Sequence, residues 1–281
     1  MANWAAIEAR AAELVERRGQ DPFLALVLEG SFRVARDLDN PIRGNLCAAG
    51  LREAFGHILH GLSPDADVRA CHWFVQARDT RTVTRQQRVS YIAHAGLSPD
   101  YVESVLGLDP RVYRAPIAEA VDEMNRRAHV RSNTVLLDDG EIRDLAEGVL
   151  HAIGQLLDAV PECRSAVEEK LQAEINRAVF DEAIKTAHPD LDELSTHTMV
   201  EEVHTEEVTV VDLGIERIKF AVSGSIYVSL NYGSSSDFRN GDGASMSDNY
   251  PFKTTLSSSV EDPSAIDQVA ELEVDNSSFY E

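Results

Sequence analysis

The chain has 281 residues, of which 48 are acidic and 26 are basic, so its formal net charge at neutral pH is −22. This length predicts one large domain or two smaller ones, and a hydrophobic content of 43% excludes wholesale disorder because it is enough to build a core. No apolar run reaches the roughly 18 residues that span a bilayer, and the three cysteines are widely separated, which predicts a reduced cytoplasmic protein with no membrane contact.

Residues 3 to about 195 carry apolar side chains at helical spacing, for example Leu24, Val27 and Phe32. A break at Asp39-Asn40-Pro41 separates the first helices from the rest, because proline favours the first turn of a new helix. The helices predicted after this break cover 41–61, 85–95, 98–106, 110–128 and 139–186, with an interruption of the last one at Pro161.

The period of the apolar residues changes to two after a connection at 186–199. Three alternating segments follow, and glycines stand between them at Gly214 and at Ser223-Gly224, where tight turns would be needed. The pattern predicts a three-stranded antiparallel meander, followed by a glycine- and serine-rich loop over 233–249. Such a small sheet needs a second surface to cover it, so we interpret it as a docking or sensing module.

The C-terminal residues 259–281 contain seven acidic residues and no basic residue. Charge of one sign with little apolar content is typical of flexible tails. The predicted fold class is therefore α+β: a predominantly α-helical domain over 1–195, a small antiparallel β module over 196–258, and a disordered acidic tail over 259–281.

The helix over 45–60 carries the most informative group of side chains, which is Arg52, Glu53 and His57. On an ideal helix Arg52 and His57 lie roughly 140° apart around the axis and about 7.5 Å apart along it. Glu53 and His57 are four residues apart and face alike, so Glu53 could orient the imidazole. Histidine can take the proton of a ribose 2′-hydroxyl and arginine can stabilise charge on a phosphate, which is a reaction of RNA that needs no metal cofactor.

Two simpler interpretations of this helix remain open. An Arg-x4-His spacing arises by chance in many helices, and the group would then be a solvated surface. His57 and His60 are also three residues apart and could hold a metal ion, but no third ligand stands at a matching spacing.

Local charge supports contact with phosphate. Residues 41–94 contain seven Lys or Arg and four Asp or Glu, so this segment is basic within an acidic chain. Arg85 and Arg88 belong to it and are candidates for binding substrate. Arg127 and His129, at the end of the helix over 110–128, are further candidates, although cations there also complement the helix dipole.

Residues 85–106 imitate a DNA-binding helix-turn-helix, with Gly96 at the turn. The second helix carries Asp100 and Glu103 and no basic residue, so it would repel phosphate. We interpret the segment as an ordinary helical hairpin, which disfavours a DNA-binding regulator.

Two sets of short phrases carry a resemblance to a known family. In the helical part they are Asn40-Pro41, Arg52-Glu53 with His57, Leu62-Ser-Pro64-Asp65, Thr84-Arg85-Gln-Gln-Arg88-Val and Gly96-Leu97-Ser98. In the C-terminal part they are Gly224-Ser-Ile, Tyr232-Gly233-Ser, Gly241-Asp242-Gly243 and Tyr250-Pro251-Phe252. Over about residues 40–255 the chain resembles bacterial proteins described as predicted nucleases associated with prokaryotic PIWI systems. This resemblance implies a role in antiphage defence or in a toxin-like system.

The Arg-x4-His spacing also resembles the motif of HEPN ribonucleases, which are α-helical and commonly dimeric. That resemblance implies a homo-oligomer with RNA as its substrate. One position departs from the motif: Glu53 stands directly after Arg52, where HEPN proteins usually have Asn, Asp or His.

These observations lead to two hypotheses of different classes. In the first, the chain is a metal-independent ribonuclease, a toxin-like effector of bacterial defence, in which His57 is the acid and base, Arg52 binds phosphate and Glu53 orients His57. In the second, it is a non-catalytic regulator or accessory subunit that binds other proteins of a defence complex. The net charge favours the second hypothesis, because a strongly acidic nuclease must overcome its own field to meet RNA.

Overall fold

The computed structural model describes residues 3–185, 191 and 193–280, and the chain divides into two compact units. The first unit comprises the residues up to Ala95 together with Pro99–Cys163, and it is helical. The second comprises Gly96–Ser98 and the residues from Arg164 onward, and it holds an antiparallel sheet. The predicted combination of a mostly helical chain with a C-terminal antiparallel sheet is confirmed, and the division falls within the longest helix.

The helices are α1 (Trp4–Arg17), α2 (Pro22–Ala35), α3 (Arg43–Leu62), α4 (Asp65–Ala70), α5 (Arg85–His94), α6 (Pro99–Ser104), α7 (Arg111–Ala128), α8 (Asp139–Lys185) and α9 (Ser235–Asn240). The strands are β1 (His197–Leu213), β2 (Arg217–Tyr232), β3 (Ala244–Ser259), β4 (Ile266–Val269) and β5 (Glu273–Val274), followed by a 3-10 turn at Ser277–Tyr280.

Helix α3 lies in the core of the first unit because its apolar residues recur every three or four positions and form one continuous face. The residues of this face are almost completely buried: Cys47, Ala48, Leu51, Ala54, Phe55, Ile58 and Leu59. Gly50 allows α2 to pack closely, since a Cβ at this position would lie 2.0 Å from the Ser31 Oγ. The start of α2 also lies against α3, at His57, which follows Gly50 by seven residues and lies on the same side of the helix.

Helix α8 runs without interruption from Asp139 to Lys185 and contributes to both units. The predicted interruption at Pro161 is wrong, because the helix continues although the proline has no amide to donate. Beyond Cys163 every fourth residue of α8 is buried, and these residues are Val167, Leu171, Ile175 and Val179.

Among the described residues, no helix combines the length and the hydropathy that a membrane-spanning segment needs.

The sheet has the strand order β1-β2-β3-β4, and β5 pairs with β3. Strand β2 is a single strand of 16 residues, where the sequence predicted two strands joined by a turn at Ser223-Gly224. The prediction is wrong because Gly224 lies in mid-strand, opposite Thr205 of β1 and Phe252 of β3. A Cβ on Gly224 would lie 2.0 Å from the His204 carbonyl oxygen, so close strand packing, not a turn, requires this glycine.

The two glycines Gly224 and Gly148 allow a matched test of this interpretation. Gly224→Ala should lower the free energy of unfolding by about 1–3 kcal/mol, because the new methyl group overlaps the neighbouring strand. Gly148→Ala in α8 should be neutral or stabilising by up to about 1 kcal/mol, since no atom lies within 4 Å of its Cβ position. Urea unfolding of both variants measures the difference, and equal stabilities would contradict the packing argument.

The C-terminal segment is folded, so the prediction of a disordered tail over 259–281 is wrong. Strands β4 and β5 pair with β3, and Val260, Leu272 and Val274 are buried. The sequence did not reveal these two strands, because acidic residues that point outward alternate with the few apolar residues that are buried. Strand β3 provides the hydrogen-bond partners for the backbone of this segment, whose amides would otherwise be bonded to water.

Removal of the residues after Ser258 should therefore destabilise the protein. Three buried apolar side chains would be lost, at about 1.5–3 kcal/mol each, and β3 would become an exposed edge. A truncation after Asp275, which keeps β4 and β5, should leave the melting temperature nearly unchanged. Thermal unfolding followed by circular dichroism compares the two, and an unchanged melting temperature after the longer truncation would restore the flexible-tail interpretation.

Candidate functional site

The exposed face of α3 carries Arg52, Glu53 and His57. The side chains of Arg52 and His57 are 39% and 38% exposed, so both can reach a ligand in solution. They lie about 7.5 Å apart along the helix and point to different sides of its exposed face. The structure therefore leaves both predicted residues accessible, on different sides of α3 and without direct contact between them.

The predicted contact between Glu53 and His57 does not form. Glu53 Oε1 accepts a hydrogen bond from Arg52 Nη2 at 3.3 Å. The Nε2 atom of His57 lies 2.7 Å from Asp21 Oδ2, a carboxylate from a different helix. The residue that holds His57 is therefore Asp21, because the i,i+4 geometry permits the Glu53 contact without requiring it.

Asp21 is fixed by the start of α2. It is the N-cap residue, and its Oδ1 accepts hydrogen bonds from the backbone amides of Phe23 and Leu24, both at 3.0 Å. The pKa of Asp21 is lowered, first by the hydrogen bond from the Leu24 amide and next by the one from His57. The carboxylate is therefore charged at neutral pH and can accept a hydrogen bond from the N–H group of His57.

The contact with Asp21 defines the chemistry available to His57. An anionic acceptor on Nε2 keeps the proton on that nitrogen, so Nδ1 has the lone pair that can take a proton from a ligand. No described residue forms a hydrogen bond with Nδ1. The Phe23 ring packs against the imidazole, with 4.7 Å between ring centroids, and restricts its rotation. This arrangement of carboxylate, imidazole and free nitrogen is suited to general base catalysis.

Arg85 and Arg88 occupy different environments. Arg85 is exposed at the first residue of α5. Arg88 is buried, and its guanidinium donates hydrogen bonds to the Ser63 carbonyl and to the Asp65 carboxylate. Arg88 therefore joins α5 to the end of α3, and as placed it has no access to a phosphate.

Arg127 and His129 lie near the other end of α3. Arg127 forms ion pairs with Glu123 at 2.9 Å and Glu141 at 3.3 Å, and its carbonyl accepts a hydrogen bond from Asn45 in the first turn of α3. Asn45 and His57 are twelve residues apart, or about 18 Å along a helix. The structure thus keeps this pair separate from Arg52 and His57.

A cleft of about 910 Å³ lies beside Arg127, between α7 and α8. Its ionisable lining residues are Glu119, Asp122, Glu123, Arg126, Arg127, Glu141, Asp144 and His151. Carboxylates outnumber the cations here, so the cleft would repel a polyanion.

The described residues provide neither the ligand group that a metal site would need nor the ionised thiol that a reactive cysteine would need. No group of three or more His, Cys, Asp or Glu side chains is arranged there to hold a metal ion. The cysteines form no disulfide, and burial raises the pKa of Cys47 and of Cys71 to about 12. Such thiols stay protonated at neutral pH and are poor nucleophiles.

The contacts of Arg88 predict that its replacement affects stability more than ligand binding. Arg88→Met should lower the free energy of unfolding by about 1–3 kcal/mol, because the buried Ser63 carbonyl loses its donor. Arg85→Met, three residues away on the exposed side of α5, should leave stability unchanged. Chemical denaturation of both variants checks this, and an Arg88→Met protein as stable as the parent would show that the guanidinium is dispensable.

Comparison with known families gives one result for both parts of the chain. Two protein-family models match, over residues 16–153 and 160–280, and both are described as "Predicted pPIWI-associating nuclease". The first match includes α3 and the start of α2, and the second includes the whole sheet. Comparisons with curated proteins and with solved structures give no match.

Proposed function

Because the chain belongs to the family of predicted pPIWI-associating nucleases, we propose that it is a ribonuclease whose active site consists of Arg52, His57 and Asp21. In this proposal it cleaves RNA without a metal ion, as a toxin-like effector of a bacterial antiphage defence system that includes a pPIWI protein.

The observation that carries the proposal is the 2.7 Å contact between His57 Nε2 and Asp21 Oδ2. With Nε2 held by Asp21, Nδ1 of His57 removes the proton from a ribose 2′-hydroxyl. The 2′ oxygen attacks the adjacent phosphorus and forms a new P–O bond. The bond to the 5′ oxygen breaks, and that oxygen takes a proton from the imidazolium or from water. The products are a 2′,3′-cyclic phosphate and a 5′-hydroxyl.

Arg52 supplies positive charge for the phosphoryl oxygens as they gain negative charge. Its present partner is Glu53, whose side chain is 66% exposed. An exposed ion pair of this kind contributes only about 0–1 kcal/mol, so a phosphate can replace Glu53 at small cost. In this proposal Glu53 is the ion-pair partner of Arg52 in the absence of RNA. Asp21 orients His57, which is the role that the sequence analysis gave to Glu53.

A second candidate function is that of a non-catalytic accessory subunit. The net charge of −22 and the carboxylate-rich cleft between α7 and α8 favour it, because both oppose the approach of RNA. In this case the contact between His57 and Asp21 only joins α2 to α3.

The test is cleavage of labelled single-stranded RNA in the presence of EDTA, with identification of the product ends. The parent protein should give 2′,3′-cyclic phosphates, and His57→Ala should abolish cleavage. Asp21→Asn should slow it by about 10²–10⁴-fold, because asparagine caps α2 as well as aspartate does but cannot stabilise an imidazolium. His60→Ala is the matched control, since this exposed histidine lies on the same helix and should be dispensable.

The pH dependence adds a second readout. Because the pKa of Asp21 is lowered, this carboxylate stays charged above about pH 5, so the parent protein should cleave RNA faster than Asp21→Asn at every pH above that value. Cleavage that needs a divalent metal, or an active His57→Ala protein, would contradict the mechanism. Absence of cleavage by the parent protein would favour the accessory subunit.

A further inference from the structure

Arg18, the C-cap residue of α1, lies against the same face of α3 as His57. Its Nη2 atom is 3.9 Å from the position that a Cβ on Gly61 would occupy. Gly61 follows His57 by four residues, so the two positions share one face of the helix and lie about 6 Å apart along it. Arg52 precedes His57 on α3, whereas Arg18 lies beside the turn that follows it. Along the helix axis Arg52 therefore lies before His57 and Arg18 after it, whereas around the axis Arg52 and Gly61, nine residues apart, point to opposite sides of α3.

The side chain of Arg18 has no hydrogen-bond or ion-pair partner among the described residues. It is half-buried, and its Nε is fully buried without a hydrogen-bond acceptor in the described structure. No ion pair joins the guanidinium to any described carboxylate, whereas the adjacent Arg17 pairs with Asp158 at 2.8 Å. A buried donor left without an acceptor costs about 1–3 kcal/mol, and more when it is charged. The Nε atom itself is out of reach of a ligand, but the exposed part of the half-buried side chain can pair with a bound anion, whose charge would offset this cost.

The loop that connects Arg18 to Asp21 contains one residue, Gln20, in an unfavourable backbone conformation. Gly19 and Gln20 have φ values of +68° and +62°, and a left-handed conformation costs a residue with a side chain about 1–2 kcal/mol. This double left-handed turn brings Arg18 and Asp21 onto α3 together, Asp21 at His57 and Arg18 at Gly61. Strain of this kind is typical of functional sites.

We propose that Arg18 binds a phosphodiester group of single-stranded RNA next to the one that is cleaved. The choice of RNA as ligand rests on the proposed function, whereas the need for an anion rests on the unpaired guanidinium itself. Arginine suits this task because its planar guanidinium can donate two parallel hydrogen bonds to phosphate oxygens. In an otherwise repulsive field, an arginine without an ion-pair partner, about 6 Å along α3 from His57, gives RNA a specific point of attachment.

The experiment measures binding of a fluorescein-labelled 2′-O-methyl RNA 12-mer, which cannot be cleaved, by fluorescence anisotropy at several salt concentrations. Arg18→Gln should weaken binding about tenfold and reduce the slope of log K against log salt by about 0.7, the value for one contact with a single strand. Arg17→Gln is the matched control: it removes the same charge one residue away and should change neither quantity. Arg18→Lys should restore most of the slope.

Thermal unfolding of the same variants separates binding from structure. Arg18→Gln should melt at the same temperature as the parent protein or higher, because the substitution removes an unpaired buried donor. A purely structural Arg18 would instead give a lower melting temperature with unchanged binding, and this result would overturn the inference.

The remaining outcomes keep this inference and the proposed function apart. Equal affinity and slope for Arg18→Gln and Arg17→Gln would overturn the role of Arg18, even if the parent protein cleaves RNA. Failure of the parent protein to bind the 12-mer, combined with a rise of its melting temperature in inorganic phosphate that Arg18→Gln lacks, would overturn the RNA assignment in favour of a small-anion site. Binding through Arg18 without any cleavage would support Arg18 and refute the ribonuclease.

Discussion

The carboxylate of Asp21 connects the N-terminus of α2 to His57 on α3, and the proposed active site depends on this connection. One carboxylate oxygen accepts hydrogen bonds from the backbone amides of Phe23 and Leu24, and the other lies 2.7 Å from His57 Nε2. The first set of bonds fixes the position of the carboxylate, so the second can orient an imidazole that is itself exposed. Close packing of α2 on α3 at Gly50 holds the two helices at the required distance.

The distribution of charge partners explains how an acidic protein could still admit RNA. Buried arginines of the first unit are neutralised: Arg43 contacts Asp139, and Arg88 contacts Asp65. Their role is to connect helices, since removal of one partner would leave a buried charge. Arg18 forms no ion pair with a described carboxylate, and Arg52 pairs only with an exposed one. Both arginines can therefore pair with a phosphate without breaking a buried ion pair, although the overall charge is −22.

The second unit shows how an acidic segment can be part of a folded sheet. Strand β3 pairs with β2 along one edge and with β4 and β5 along the other. Arg217 of β2 pairs with Asp267 of β4, so one of the C-terminal acidic residues has a specific partner. The apolar residues between the other carboxylates supply the buried contacts, and the carboxylates remain in water, where their charge costs little.

The sequence alone determined the features that depend on local periodicity. Apolar spacing placed α3, and alternation at period two identified the antiparallel sheet. Prediction from the sequence failed where the conformational preference of a few neighbouring residues disagrees with the packing that the fold requires. Ser223-Gly224 has the composition of a turn, but the phase of the alternating apolar residues is unbroken from Ile218 to Leu230, which is the sign of a single strand.

Only the tertiary structure decided which side chains meet. Asp21 precedes His57 by 36 residues, and its composition signal, Asp before Pro, indicates a helix start but no partner. Local geometry favoured Glu53 for His57, yet Glu53 bonds to Arg52, because exposed side chains have several partners within reach. The lack of a partner for Arg18 and the pairing of the C-terminal segment with β3 are likewise properties of packing between distant segments, which no local pattern of residues encodes.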